Sequence, residues 1–223
     1  MQEILFSKKP KDRFASQVVL DISARSGVIA DANGRVINKT NMAINNTIIN
    51  GGPSMQFNGQ SSLWVDNQTE TNLWLQGDFC IDVWLYLTAR QATFPSLFGN
   101  YTSWPNNNGM QLFAGHASYS TTKFAAAISG GFPAIRGNID IPYNQWFHYA
   151  TERDKGILTT YIRGVFDAAT QTVNNNQLFG TKDRVSIGVA SDDLNGGSIV
   201  GMMDRYRITT GVRYGGPFTP EVF

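Results

Sequence analysis

Along this chain, short apolar runs alternate with clusters of Gly, Asn, Asp, Ser and Pro, and where the pattern is regular its period is two. The clearest run is FCIDVWLYL, residues 79–87. Side chains alternate across a strand, so Phe79, Ile81, Val83, Leu85 and Leu87 share one face, and Cys80, Asp82, Trp84 and Tyr86 share the other. The first face belongs to a core. The second mixes aromatic and polar groups, as expected of a shallow concave sheet surface. A second unit, QWFHYATERDKGILTTYIRGVF, covers residues 145–166. Its two strands flank Asp154-Lys155-Gly156, a hairpin turn in which Gly156 supplies the positive φ, and Arg163-Gly164 closes the second strand. Near the C-terminus, Met202 to Ile208 forms one more strand before a Gly-rich exit.

Turn clusters punctuate the rest at short intervals: SARSG, DANG, NGG, NGQSS, PNNNG, VNNN, DDLNGG and YGGP. That spacing predicts an all-β sandwich or barrel. No linker, low-complexity tract or longer repeat interrupts it, so residues 17–223 are expected to form one domain. Residues 1–16 stand apart as a basic N-terminal arm. Lys8, Lys9, Lys11 and Arg13 crowd around Pro10, as in a mobile terminus or an arm that orders when it docks on a partner.

Composition sharpens this picture. Charged residues are only 16 % and the net charge is +1, which argues against a nucleic-acid binder working through a broad basic surface. Four glutamates and seven lysines are few for a helical protein, whereas 19 asparagines and 22 glycines suit strands joined by turns. A single cysteine, Cys80, excludes an internal disulfide and any Cys-based zinc site. No apolar stretch approaches the ~20 residues of a membrane span. In MQEILFSKKPKDRFAS the charges follow the apolar run, the wrong order for a secretory signal. The expectation is a product made in a cytosol, with no membrane partner.

Several segments in this order carry a family resemblance. They are VVLDISARSG, GGPSMQFNGQSSLWV, GDFCIDVWLYL, QWFHYATERDKGILTTYIRGV, RVSIGVA and GMMDRYRITTGVRYGGPFTP. Together they resemble the concanavalin A-like lectin/glucanase superfamily, and within it the laminin-G-like jelly-roll domains of bacteriophage proteins. Asp204, Arg207, Gly211, Arg213, Tyr214, Phe218 and Pro220 match the final segment of the phage versions. The chain departs from that pattern at Arg163, where the family carries Asp or Asn, and at Arg205, where it often carries an acid. The resemblance implies a two-sheet antiparallel jelly roll, a fold that hosts lectins, glycosidases and structural parts alike.

Candidate chemistry follows from these residues. Glycoside hydrolysis needs two carboxyls flanking the scissile bond. The one alternating acidic pair is Glu152 and Asp154, at the end of a strand where Asp154 begins a turn, so no enzyme is expected. Cys80 and His148 read as strand residues and His116 as a loop residue, none with a catalytic partner. Asp204 is expected to pair with Arg207 or with backbone amides. For a glycan, the loop YTSWPNNNG offers Tyr101, Trp104, Asn106, Asn107 and Asn108, and Trp84 with Tyr86 could add a platform. No cofactor is expected unless calcium binds SDDLNGG through Asp192, Asp193 and Asn195. The phage resemblance, the stand-alone domain and the arm imply a virion structural protein, a capsid decoration or small tail or baseplate component. Such a subunit would contact other virion proteins through Lys8, Lys9, Lys11 and Arg13, form a homo-oligomer, and bind host-surface glycans as the alternative role.

Overall fold

The alternation of side chains becomes two facing antiparallel sheets. The computed structural model describes residues 12–49, 52–66, 71–88, 94–100, 109–128, 131–171, 184–189 and 198–221. After a short 3-10 turn at Ala15–Gln17 come β1 (Val18–Ser23), β2 (Ala30–Asp31), β3 (Asn38–Thr40), β4 (Ala43–Ile49) and β5 (Gly52–Asn58). Next are β6 (Ser62–Asp66), β7 (Phe79–Leu87), β8 (Ser96–Gly99), β9 (Met110–His116), β10 (Ser120–Ile128) and β11 (Gly131–Asp140). The chain ends with β12 (Trp146–Asp154), β13 (Ile157–Ile162), β14 (Val165–Gln171), β15 (Arg184–Ile187) and β16 (Val200–Thr210). The larger sheet runs β14-β13-β12-β7-β16-β1-β2, with β5 and β4 continuing it beside the first half of β16. The smaller runs β11-β10-β9-β8-β15-β6-β3. This is a two-sheet sandwich with no α-helix among the described residues, one of the two architectures that the sequence pattern predicts and consistent with the jelly roll that the resemblance implies. No helix there is long and apolar enough to cross a membrane.

The strand predicted at 79–87 forms residue for residue, and Phe79, Ile81, Val83, Leu85 and Leu87 all lie in the core between the sheets. Across from them, Phe124 of the smaller sheet stacks on Tyr149 of β12 at 4.2 Å. Both predicted turns of the 145–166 unit form, each with two consecutive left-handed residues: Lys155 and Gly156, then Arg163 and Gly164. That is the type I′ geometry, whose twist matches the flanking strands. Arg163 takes φ 55° where the family's Asp or Asn would take it more cheaply.

Two bulges set the sandwich. In β16, Asp204 faces Trp84 but Arg207 faces Asp82, so three residues span two of β7, with Arg205 at φ 49°. The extra residue resets the alternation: Met203, Tyr206 and Ile208 all enter the core, while Arg207 and Thr209 go to the outer face. In β14, Asp167 is the extra residue between Phe166 and Ala168. Its carboxylate accepts the backbone N–H groups of Asn138 and Ile139, both at 2.7 Å, and so ties the edge of the larger sheet to β11 of the smaller. A Cβ on Gly137 would come within 2.7 Å of that carboxylate, so the approach requires glycine. Asp167→Ala leaves two backbone donors without their acceptor and should cost about 3 kcal/mol. Chemical denaturation checks this, and a change under 1 kcal/mol would contradict the stapling role.

Candidate functional site

The outer face of the larger sheet carries the chemistry. At its centre Asp82 of β7 stands between His148 of β12 and Arg207 of β16. Arg207 donates Nε and Nη2 to Asp82 Oδ1 at 3.0 and 2.6 Å, and His148 Nε2 lies 3.4 Å from the same oxygen. Arg213 Nη2 donates to Asp12 Oδ2 at 2.7 Å, and Asp12 also lies 3.6 Å from Arg207 Nη1. Asp82, Arg207, His148 and Arg213 are all at most 3 % exposed. Buried charges on this scale are tolerated only when paired and hydrogen-bonded. Burial alone would raise the Asp82 carboxyl, but Arg207 and the His148 contact override it and hold it well below the usual carboxylate range. Burial also opposes ionised Asp12, yet Arg213 and the Phe14 N–H leave its carboxyl lowered. Burial drives Asp21 and Asp204 the other way, above the ordinary value.

What buries this cluster is the C-terminal strap, residues 211–221. Glu152 anchors it by accepting the N–H groups of Tyr214 at 3.0 Å and Gly215 at 2.7 Å. Phe218 donates its N–H to the Gly164 carbonyl at 2.9 Å. A Cβ on Gly164 would overlap the Phe218 carbonyl oxygen, so this left-handed turn position needs glycine on two counts. Tyr214 stacks on Phe218 with centroids 3.5 Å apart, and both meet the edge of His148. At the last described residue, Trp84 Nε1 donates to the Glu221 carbonyl at 3.2 Å. At the other terminus Asp12 and Phe14 lie under Arg213, so both ends of the described chain fasten on one face.

Beyond the strap the face is aromatic. Tyr86 and Trp146 are register partners on β7 and β12, their rings 5.7 Å apart and tilted by 55°. Met202 of β16 is the next residue in that row, and Trp84 with His148 forms the row beside it. Tyr86, Trp84, Trp146 and Met202 are all half-buried. Gln145 and Arg163 are exposed beside Trp146, and Arg163 Nη2 donates to Gln145 Oε1.

Several sequence-based expectations need correction. Glu152 lies near the end of β12 as expected, but it is 2 % exposed and caps the strap. Of the two partners expected for Asp204, a backbone amide is present, that of Arg205, but the ion pair is with Arg25 at 3.1 Å, because the bulge turns Arg207 toward Asp82. His116 lies in β9, not in a loop, and its Nδ1 accepts the Ser118 N–H. The face around Asp82 is covered rather than open and concave. Cys80 and His148 are packed strand residues as expected. Trp146, the strap and the capping role of Glu152 were missed, since each depends on contacts distant in sequence.

The remaining candidates are only partly in view. Tyr101, Trp104, Asn106, Asn107 and Asn108 lie outside the described residues, as do Asp192, Asp193, Asn195, Lys8, Lys9 and Lys11. The anchors of the two loops are described. Asn100 and Met110 close the first where β8 meets β9, and the Ile199 N–H to Gly188 carbonyl bond closes the second. Since β15 runs antiparallel to β8, these anchors stand at opposite ends of the smaller sheet. The two candidate loops thus start from separate rims. Arg13 is exposed, its guanidinium over Phe14. Among the described residues no group of three His, Cys, Asp or Glu is placed to hold a metal.

Asp82→Asn breaks a buried ion pair and should cost about 3–5 kcal/mol at neutral pH. The Asp82 carboxyl is lower in the folded than in the unfolded chain, so its stabilisation is full above pH ~4 and fades as pH falls through its folded value. The stability gap between wild type and Asp82→Asn should therefore narrow below pH ~4. A gap that stays constant down to pH 2.5 would contradict this assignment.

Comparison with known proteins places this architecture. No curated protein matches the chain by sequence. Among solved structures, domain 4 of AbnA, a GH43 extracellular arabinanase from Geobacillus stearothermophilus in complex with arabinotriose, is 19 % identical with a TM-score of 0.60. That match covers 87 % of this chain and 93 % of the arabinanase domain. The binding domain of botulinum neurotoxin serotype C1 is 12 % identical with a TM-score of 0.62, covering 88 % of this chain and 49 % of that one. A type C neurotoxin structure, concerning cell entry that depends on two ganglioside molecules, gives 12 %, 0.60, 89 % and 49 %. The chain thus spans about half the length of the neurotoxin chains, and at these identities the likeness is one of fold. The family model described as the concanavalin A-like lectin/glucanases superfamily, Laminin_G_3, matches residues 54–214, from β5 through the strap residue Tyr214. With well over half its length matched, this chain belongs to the concanavalin A-like lectin/glucanase superfamily.

Proposed function

We propose that this chain is a non-catalytic, lectin-like module that binds glycans. One observation carries the reading: on the outer face of the larger sheet the carboxylates serve the fold while the aromatics are left over. Asp82 is held by Arg207, Glu152 by two strap amides and Asp12 by Arg213. A glycosidase would need two of them free to flank a scissile bond. Trp84, Tyr86 and Trp146 instead offer half-open rings, the groups on which the apolar face of a sugar stacks. The arabinotriose complex and the ganglioside dependence printed for two fold neighbours are in keeping with this reading. The loop of Tyr101, Trp104 and Asn106–Asn108 remains a second candidate contact.

A second reading concerns where such a module works. The strap is built from Arg213, Tyr214, Phe218 and Pro220, the residues that resemble the closing segment of bacteriophage domains. It fastens the base of the basic arm through Asp12. These features support a place on a virion, with Lys8, Lys9, Lys11 and Arg13 reaching other virion proteins and the sandwich displayed outward.

A glycan array of the whole chain, with and without millimolar calcium, tests the first reading. A defined set of hits is expected, weakened at least tenfold by Trp146→Ala or Trp104→Ala according to which site binds. Silence under both conditions would overturn it. Dependence on calcium would assign the ion to Asp192, Asp193 and Asn195. For the virion reading, deleting residues 1–11 should abolish particle association and leave the sandwich folded. Association that survives would remove the arm from the account.

A further inference from the structure

Arg163 differs from four other arginines around the outer face of the larger sheet. Arg25, Arg205, Arg207 and Arg213 each lie beside a carboxylate on this face: Asp204, Asp21, Asp82 and Asp12 respectively. Arg163 has no carboxylate partner among the described residues. Its side chain runs along the surface to the amide oxygen of Gln145 and stays exposed. Its backbone is left-handed at φ 55°, a conformation that Gly, Asn and Asp adopt at lower cost. The turn would be served at least as well by asparagine, so the fold itself gives no reason for a guanidinium here.

The neighbours of Arg163 supply one. Gln145 precedes Trp146, whose ring forms a tilted trough with Tyr86. Trp84, held at its indole N–H by the Glu221 carbonyl, bounds the trough toward the strap. The row of rings thus ends, through the Trp146–Gln145 peptide, at an exposed amide and the guanidinium bonded to it, whose charge no described carboxylate neutralises. A pyranose can lay its C–H face on such rings. A carboxylate on that sugar then meets a planar fork of N–H donors, the geometry that Arg recognises in two parallel bonds.

We propose that Tyr86, Trp146, Gln145 and Arg163 bind a saccharide bearing a carboxylate, such as a uronic or sialic acid residue. This rests on the glycan-binding reading above and names the class of sugar. Tyr86 and Trp146 hold the ring, and Arg163 selects the anion, with Gln145 orienting the guanidinium.

The test uses the whole chain and matched pairs of probes: oligogalacturonate of three to six units against its methyl ester, and sialyllactose against lactose. Binding is read by calorimetry and by tryptophan fluorescence. At least one acidic probe should bind about tenfold or more tightly than its neutral partner, and added salt should shrink the difference. Arg163→Asn keeps a residue suited to the turn and should equalise the pair, while Trp146→Ala should weaken both members. Two results would overturn the acidic class and leave glycan binding standing: equal affinity for both members, or a preference that survives Arg163→Asn. Failure of the folded wild-type chain to bind any of the four probes or any array glycan would overturn both.

Discussion

The ion pair between Asp82 and Arg207 is the constraint on which the outer half of this molecule depends. It puts two charges at the centre of a nine-stranded sheet, on a face that would otherwise be wet. Charges removed from water need partners, and the chain supplies the main ones from far away in sequence. Arg207 faces Asp82 only because the bulge at Arg205 shifts β16 by one residue. Arg213 brings Asp12 to the same point, and Glu152 holds the strap that roofs the cluster. Fold and charge are thus coupled: the bulge aligns the pair, the pair and its neighbours seat the strap, and the strap keeps water from the pair.

That coupling also divides the face by function. Where the strap lies, the carboxylates of Asp82, Asp12 and Glu152 are engaged by Arg207, Arg213 and strap amides. Beyond the Trp84–Glu221 contact lies the aromatic row, whose rings are half-buried. The proposed binding reading rests on this division: the acids are structural and the surplus is aromatic. The family tolerates either outcome, because activity on this fold resides in a few grafted side chains.

Much of the architecture was legible from the period of the hydrophobic pattern. FCIDVWLYL alternates without interruption, and β7 forms over those same residues. Lys155-Gly156 and Arg163-Gly164 announced their turns through glycine. The bulge at Arg205 is not legible, since no glycine or proline marks it, and so the sequence does not point to Arg25 as the ion partner of Asp204. Glu152 was read as a strand-end acid because its real partners, Tyr214 and Gly215, come some sixty residues later. Trp84 and Tyr86 could be paired from one strand alone, whereas Trp146 joins them only through the β7–β12 register.

Hydrogen exchange at the strap amides tests the central claim most directly. The N–H groups of Tyr214, Gly215 and Phe218 are each bonded to the body of the sandwich. If the buried charge cluster clamps the strap, these three amides should exchange nearly as slowly as those of β7 and β16, and Asp82→Asn should release them before the sheets open. Rapid exchange in the wild type, or protection unchanged by Asp82→Asn, would show that the strap is held independently of the ion pair.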